Sequence, residues 1–184
     1  MIFPEPKIIL RERSRLGNDW HSGRRYTLEN INSFSISQIM ADHIPEFIIN
    51  GKKVKSSKPA SRYCFKYKYL FYKIECDDVD ALYQNKKELE NYQKIQKEDR
   101  IYFSTVFDFG KSEAEVLGRK IQFSYSVHKF ESSLKKADYY DYKSYELIKD
   151  LSKKYDINDI GSEWNWGYKK YANKLVPFIY DLGV

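Results

Sequence analysis

The sequence of 184 residues contains few of the side chains that build disulfide frameworks, zinc clusters and membrane spans. Two cysteines, Cys64 and Cys76, are too few for a disulfide framework or a zinc cluster. Three scattered histidines, His21, His43 and His128, argue against a metal site built from imidazoles. No run approaches the roughly 18 apolar residues of a transmembrane helix, and the N-terminus lacks the pattern of a secretory signal. We therefore expect a reduced, cytoplasmic, globular protein.

The net charge of +6 is concentrated in the first third of the chain. Residues 1–66 contain 12 Lys and Arg against 6 Asp and Glu, whereas the remaining residues contain 20 of each. The basic residues cluster in RERSR (11–15), at Arg24–Arg25 and in GKKVKSSK (51–58). This asymmetry is typical either of a solvated face on a lysine-rich protein or of a surface that binds phosphate or nucleic acid.

The alternation of apolar and polar residues predicts a mixed α+β fold. An Asn-Gly dipeptide at Asn50–Gly51 predicts a hairpin turn. The acidic run DDVDAL predicts a helix start with Asp77 or Asp78 as N-cap. We expect His128 on the exposed, polar face of its strand. Strands are predicted at 47–57, 61–68, 69–76, 101–110, 120–130 and 174–184, and helices at 34–41, 77–97 and 144–155.

Two regions are expected along the chain. Residues 1–25 have no clean period, and we expect residues 1–46 to form a basic N-terminal arm or cap. Residues 47–184 are then a single folded domain, since the length fits about one domain.

Three segments of that domain resemble, in order, the nucleotide site of protein kinases. LFYKIE places Lys73 near the end of a third predicted strand, and ELENY places Glu88 on the following helix. NWGYKKYANKLVPFIYDLGV places Asn165 before Asp181, which belongs to a DLG triplet. In these features the chain is similar to the small, truncated kinase-like proteins found in viral, phage-type genomes.

The resemblance implies a minimal protein-kinase-like domain with an antiparallel N-lobe sheet, one αC-like helix and a truncated C-lobe. It also implies ATP and Mg²⁺ as cofactors. In such a site Lys73 pairs with the phosphates and Glu88 holds the lysine in place, with Glu90 as the competing partner. Asn165 and Asp181 supply the hard oxygen ligands that suit Mg²⁺.

The chain departs from the kinase pattern at two places. The catalytic loop of kinases has its base five residues before the metal-binding asparagine, but an isoleucine stands there in this sequence. Asp159 lies one position earlier and is the candidate catalytic base, with Glu163 as the second candidate. The glycine-rich motif G-x-G-x-x-G is also missing, so phosphate contact there would rest on Ser56, Ser57 and the neighbouring lysines.

Two classes of function follow from these patterns. The resemblance implies a kinase-like ATP–Mg²⁺-binding protein, either a phosphotransferase with an unknown acceptor or a degenerate pseudokinase that keeps nucleotide binding. The alternative is a non-enzymatic interaction protein that uses the kinase-like shell as a scaffold. Its basic N-terminal third would then bind nucleic acid or an acidic protein partner. In both cases we expect no membrane partner and a cytoplasmic location, which is the host cytoplasm if the protein is viral.

Overall fold

The computed structural model describes residues 2–58, 62–79, 83–157 and 165–183 of the chain. These residues form a mixture of strands and helices, which confirms the predicted mixed class. The strands are β1 (Lys7–Glu12), β2 (His43–Ile49), β3 (Lys52–Val54), β4 (Tyr63–Tyr67), β5 (Leu70–Cys76), β6 (Val106–Val116), β7 (Arg119–Lys129), β8 (Lys135–Lys136), β9 (Trp166–Tyr171) and β10 (Lys174–Ile179). The α-helices are α1 (Ile36–Ala41), α2 (Gln84–Lys94) and α3 (Tyr142–Lys154).

The chain divides into two compact units, each built from three separate stretches of sequence. The first unit contains Met1–Lys68, Tyr72–Tyr83 and Gly110–Tyr125. The second unit contains Tyr69–Phe71, Gln84–Phe109 and Ser126–Val184. This division differs from the expected arm and domain, because residues 1–46 share the first unit with later segments.

The N-terminal segment contains a strand and is not a free arm. β1 pairs with β2 in antiparallel register, with Lys7 opposite Ile48, and β2 pairs in turn with β3. The β2–β3 turn at Asn50–Gly51 has positive φ at both residues, as an Asn-Gly hairpin requires. The hairpin is therefore confirmed. The boundary expected at residue 46 lies inside β2.

The predicted first helix is confirmed as α1, and its start is determined by a capping box. The Ser35 side chain accepts a hydrogen bond from the Gln38 backbone, and the Gln38 side chain accepts one from the Ser35 backbone. Both bonds satisfy backbone donors that a helix start leaves unpaired. Helix α1 buries Ile39 and ends just before Asp42.

Asp42 connects the long loop before α1 to the end of that helix. Its carboxylate accepts hydrogen bonds from Ser22 N (3.0 Å), Ser22 Oγ (2.6 Å), Arg24 Nη1 (3.0 Å) and the Tyr26 hydroxyl. Burial alone would raise the pKa of Asp42, but the bonds from Ser22, Tyr26 and Arg24 outweigh it and hold the pKa well below its usual range. Burial and the bond to Asp42 raise the pKa of Tyr26 to about 12. We call these four residues the Asp42 clasp.

A four-stranded sheet has the order β4-β5-β7-β6. Strands β6 and β7 form a long hairpin whose turn, Leu117–Gly118, has positive φ at both residues. The strand predicted over 101–110 is confirmed for residues 106–110, but both of its bounds are wrong, because β6 begins at Val106 and continues through Gly110. A Cβ atom on Gly110 would overlap the ring of Tyr125. This glycine therefore allows close packing inside a strand and does not end it.

The helix predicted to start at Asp77 or Asp78 begins later, at Gln84. Asp77 and Asp78 lie in a turn after β5, where Asp77 N donates to Gln122 O (2.9 Å) and Gln122 N donates to Asp78 Oδ2 (3.2 Å). Asp77 and Asp78 therefore extend the contact between β5 and β7 beyond the end of β5. The N-cap prediction is wrong because a cross-strand donor competes for the same carboxylate.

The second unit combines α3 with a sheet of order β10-β9-β8. Asp141 caps α3, which confirms the predicted helix near 144–155. The sequence patterns predict neither a strand nor a helix between residues 155 and 174, but this segment contains β9, which pairs antiparallel with β10. The core of this unit is formed by Ile95, Phe103, Val106, Ile148, Leu151, Ile157, Trp166, Tyr168, Ile179 and Leu182.

Within the part of the chain that the structure describes, no helix is both long enough and apolar enough to cross a membrane.

Candidate functional site

The buried face of α2 is polar. Asn85, Glu88 and Asn91 recur at intervals of three residues and are each at most 1% exposed. An amphipathic helix normally buries apolar side chains on this face. Since a buried amide or carboxylate is costly without hydrogen bonds, the partners of these three residues determine what the face can do.

Strand β7 supplies partners for two residues of this face. His128 Nε2 lies 3.0 Å from Glu88 Oε2 and 2.7 Å from Ser126 Oγ. Ser126 Oγ donates to Asn85 Oδ1 at 3.1 Å. The expectation that His128 is exposed is wrong, because the second half of β7 is buried on both faces and His128 is 1% exposed.

This serine, histidine and glutamate do not form a catalytic triad. In a triad the serine and the acid contact opposite nitrogens of the imidazole, so that the base can take the hydroxyl proton. Here Ser126 and Glu88 both face Nε2 of His128. The network therefore orients the Glu88 carboxylate and does not activate a nucleophile.

The end of the chain packs against the same face of α2. Asn91 Nδ2 donates to Leu182 O at 2.5 Å, and Gly183 N donates to Asp181 Oδ1 at 2.9 Å. A Cβ atom placed on Gly183 would lie 3.1 Å from Asp181 Oδ1 and 3.7 Å from Glu88 Oε1. The two carboxylate oxygens are therefore no farther apart than the sum of these distances.

Asn165 and Asp181 leave the same end of the β9–β10 hairpin. Trp166 is opposite Ile179 in the hairpin register, and Tyr180 N donates to Asn165 O at 2.8 Å. Asp181 follows directly. The second unit thus contains Glu88, Asn165 and Asp181, three of the residues that the kinase resemblance selects.

The glycine of the N-W-G segment has a packing role beside this hairpin end. A Cβ atom on Gly167 would overlap the Tyr180 hydroxyl and would lie 2.8 Å from Lys135 O. The Tyr180 hydroxyl is 2.6 Å from Ser133 Oγ, and burial raises the pKa of Tyr180. The absence of a side chain at Gly167 therefore lets Tyr180, the residue before Asp181, pack across the hairpin.

The predicted phosphate-contacting residues belong to the first unit. Lys73 is half-buried on β5, Ser56 is half-buried and Ser57 is exposed. Ser57 N donates to Cys64 O at 2.9 Å, and Cys64 N donates to Ser57 O at 2.7 Å. The Ser57 backbone amide is thus already bonded, so a phosphate would have to be contacted by the side chain.

The two candidates for the general base, Asp159 and Glu163, lie outside the described residues. Within the described ranges, no three His, Cys, Asp or Glu side chains converge as a metal site. A metal ion bound in the second unit would therefore need ligands besides acidic and imidazole groups, such as the Asn165 amide or the oxygens of a bound phosphate.

Sequence reasoning missed Asn85, Asn91, Ser126 and His128 as members of the buried polar network. A signal was present for the first two, because they share the helical face of Glu88 at a spacing of three. No comparable signal exists for Ser126 and His128, since alternation along a strand predicts an exposed face there.

Comparisons of the chain with protein-family models, with curated proteins and with solved structures find no match.

Proposed function

We propose that the chain is a kinase-like protein that binds Mg²⁺–ATP, with the metal at the hairpin end of the second unit. The observation that carries the proposal is the approach of Glu88 Oε1 and Asp181 Oδ1 to Gly183, beside the hairpin end that Asn165 and Asp181 flank. Side-chain oxygen atoms that can bind a metal ion are thereby available in one compact unit, from Glu88 on α2, from Asn165 just before β9 and from Asp181 just after β10.

The chemistry of these side chains suits Mg²⁺. This ion takes one or two carboxylates and completes its octahedron with water and substrate phosphates. Asp181 supplies a carboxylate and Asn165 an amide oxygen, so an all-protein set of ligands is not required. Glu88 is held by His128 at 3.0 Å and contributes negative charge beside Asp181.

The order of elements supports the kinase-like part of the proposal. The strand that carries Lys73, β5, is followed by the helix that carries Glu88, α2. Next come the β6–β7 hairpin, α3 and the β9–β10 hairpin that ends before Asp181. Kinases use the same order of lysine, glutamate, asparagine and aspartate. Lys73, Ser56 and Ser57 stay predictions for phosphate contacts, and Asp159 stays the prediction for the base.

Ion pairs within the first unit weigh against the alternative of nucleic-acid binding. Arg11 and Lys53 both contact Glu46, at 3.1 and 3.2 Å, and Arg24 contacts Asp42 at 3.0 Å. A basic residue that is already paired neutralises a nucleic-acid phosphate less readily, so part of the positive excess of residues 1–66 is compensated internally.

Thermal unfolding with ATP and Mg²⁺ tests the proposal. With ligand at about 100 times its dissociation constant, the free energy of unfolding should rise by about 2.7 kcal/mol. For a chain of this size the midpoint then increases by roughly 5–10 °C. We expect this increase to require Mg²⁺ and to disappear in Asp181→Asn.

Asp150→Asn is the matched control, because Asp150 is an exposed residue on α3 of the same unit. It should retain the full increase. No increase in the wild type at millimolar ATP, or an equal increase in Asp181→Asn, would contradict the proposal. A ligand response that falls steeply with salt and needs nucleic acid would favour the alternative instead.

A further inference from the structure

The first unit contains a pocket of about 440 Å³ that is separate from the hairpin end described above. Its volume lies in the range of small-molecule sites, roughly 300–1,000 Å³. Helix α1 and strand β2 form one wall, and the residues around β4 and the end of β5 form another. The described lining residues are Arg13, Ser37, Met40, Ala41, Ile44, Pro45, Lys58, Tyr63, Cys76 and Val79.

The lining of this pocket is positively charged. Arg13 and Lys58 are its ionised side chains, and no Asp or Glu is among the described lining residues. Burial raises the pKa of the Cys76 thiol to about 11, so this group adds no negative charge at neutral pH. The Lys58 ammonium lies 4.8 Å from the centroid of the Tyr63 ring, which orients the cation beside the pocket.

Arg13 has hydrogen-bonding capacity that the described residues do not use. Its Nε is buried and has no hydrogen-bond partner among them, and its guanidinium makes no ion pair with any acidic side chain that the structure describes. A buried donor on a cation is costly to leave unpaired. A guanidinium in this condition is well suited to an external carboxylate or phosphate, which it can bind through two parallel hydrogen bonds.

Two parts of the pocket lining are joined through Asp42. Arg13 N donates to Asp42 O at 2.8 Å, and Asp42 directly follows Ala41, which lines the pocket. This backbone bond joins the segment that carries Arg13 to the end of α1, and the clasp holds Asp42 to the loop that precedes the helix. A preformed pocket lowers the entropic cost of binding.

The lining also includes four apolar side chains, Met40, Ile44, Pro45 and Val79. We propose that this pocket binds a small organic anion, in which a phosphate or carboxylate head group contacts Arg13 and Lys58 and an apolar body contacts these four side chains. The proposal does not rest on the kinase-like function, since all of its residues lie in the first unit.

Calorimetric titration with four probes separates the head group from the apolar body. The probes are hexyl phosphate, hexanoate, hexan-1-ol and inorganic phosphate. We expect hexyl phosphate or hexanoate to bind with a 1:1 stoichiometry and at least about tenfold more tightly than both hexanol and inorganic phosphate. Whichever of these two anions binds more tightly shows whether the pocket prefers a phosphate or a carboxylate head group.

Two variants locate the binding in the pocket. Arg13→Gln removes the guanidinium and should weaken binding about 10- to 100-fold, as expected for a lost charge-assisted hydrogen bond. Ala41→Trp fills the pocket from an exposed position and should also abolish binding. Arg25→Gln is the matched control, because Arg25 is an exposed arginine of the same unit that does not line the pocket.

The proposal is overturned if none of the anions binds at millimolar concentration, or if hexanol binds as tightly as the anions. It is also overturned if Arg25→Gln weakens binding as much as Arg13→Gln. Because Arg13 contacts the rest of the unit through its backbone, a melting curve of Arg13→Gln should match that of the wild type. If that variant is unfolded, the result with Ala41→Trp decides.

Discussion

The two compact units each bury a carboxylate completely, and the surroundings of the two carboxylates differ. Asp42 in the first unit is contacted by Ser22, Arg24 and Tyr26, all from the long loop before α1. Glu88 in the second unit is contacted through Oε2 by His128, which comes from β7, and its Oε1 lies near Gly183.

The difference separates a structural acid from a candidate functional acid. Asp42 accepts hydrogen bonds at both oxygens from a loop that has no helix of its own before residue 31, so its charge organises that loop. Glu88 projects from helix α2, and its Oε1 lies near Asp181 at a hairpin end. Loss of Asp42 should therefore affect folding, whereas loss of the Glu88 charge should affect binding.

The largest expected effect is that of Asp42→Ala. The variant removes the acceptor that Ser22, Arg24 and Tyr26 share, and hydrogen bonds to a charged group contribute about 1.5–3 kcal/mol each. The melting midpoint should fall by about 10 °C in a circular dichroism melt. Asp19→Ala, in the exposed part of the same loop, should leave the midpoint nearly unchanged. Equal midpoints for the two variants would refute a structural role for the clasp.

The contribution of the Asp42 carboxylate to stability should also depend on pH. The pKa of Asp42 is lower in the folded protein than in the unfolded chain, so its stabilising contribution is complete above the unfolded value near 4. The contribution is then lost as the pH falls towards the depressed folded pKa. One such group changes the free energy of unfolding by at most about 1.4 kcal/mol per pH unit.

Urea unfolding of the wild type and of Asp42→Asn between pH 6 and pH 2 measures this contribution. The carboxyls of Asp99 and Asp141 also have lowered pKa values, because of hydrogen bonds from Lys154 and from Ser144 respectively. Those groups affect both proteins equally. The wild type should therefore lose stability more steeply than Asp42→Asn, and parallel curves would contradict the assignment.

The smallest expected effect on stability is that of Glu88→Gln. Glutamine keeps the shape of the side chain and an oxygen that can accept from His128 Nε2, so the cost should stay below about 1 kcal/mol. The Mg²⁺-dependent response to ATP should nevertheless decrease, because a negative charge beside Asp181 is lost. If Glu88→Gln unfolds as readily as Asp42→Ala, both carboxylates are required for folding and the distinction between them is wrong.

Local chemistry made part of the fold predictable. The Asn50–Gly51 turn, the α1 helix and α3 depend on interactions within a few residues, and these were read correctly from the sequence. The predictions that were wrong concern residues whose local tendency is overruled by contacts with residues distant in the sequence. Asp78 is bonded to Gln122, which lies 44 positions away, and Gly110 is required by the ring of Tyr125 on the paired strand.

The candidate site itself stays a prediction, but the structure bears on where its residues lie. The kinase resemblance selected Glu88, Asn165 and Asp181, and all three lie in the second unit. Spacing could not identify His128 as the partner of Glu88, because a histidine on an alternating strand is expected to face solvent. The second half of β7 is buried on both faces, and His128 contacts α2 there.

The pairing of β1 with β2 has a practical consequence for shortened versions of the chain. β2 is the central strand of the sheet β1-β2-β3, and removal of residues 7–12 would convert it into an edge. Its backbone donors and acceptors would then be open to a strand from another molecule, beside the buried side chains of Phe47 and Ile49. We expect recombinant fragments that start after residue 12 to aggregate, so the first strand must be kept when the boundaries of an expressed fragment are chosen.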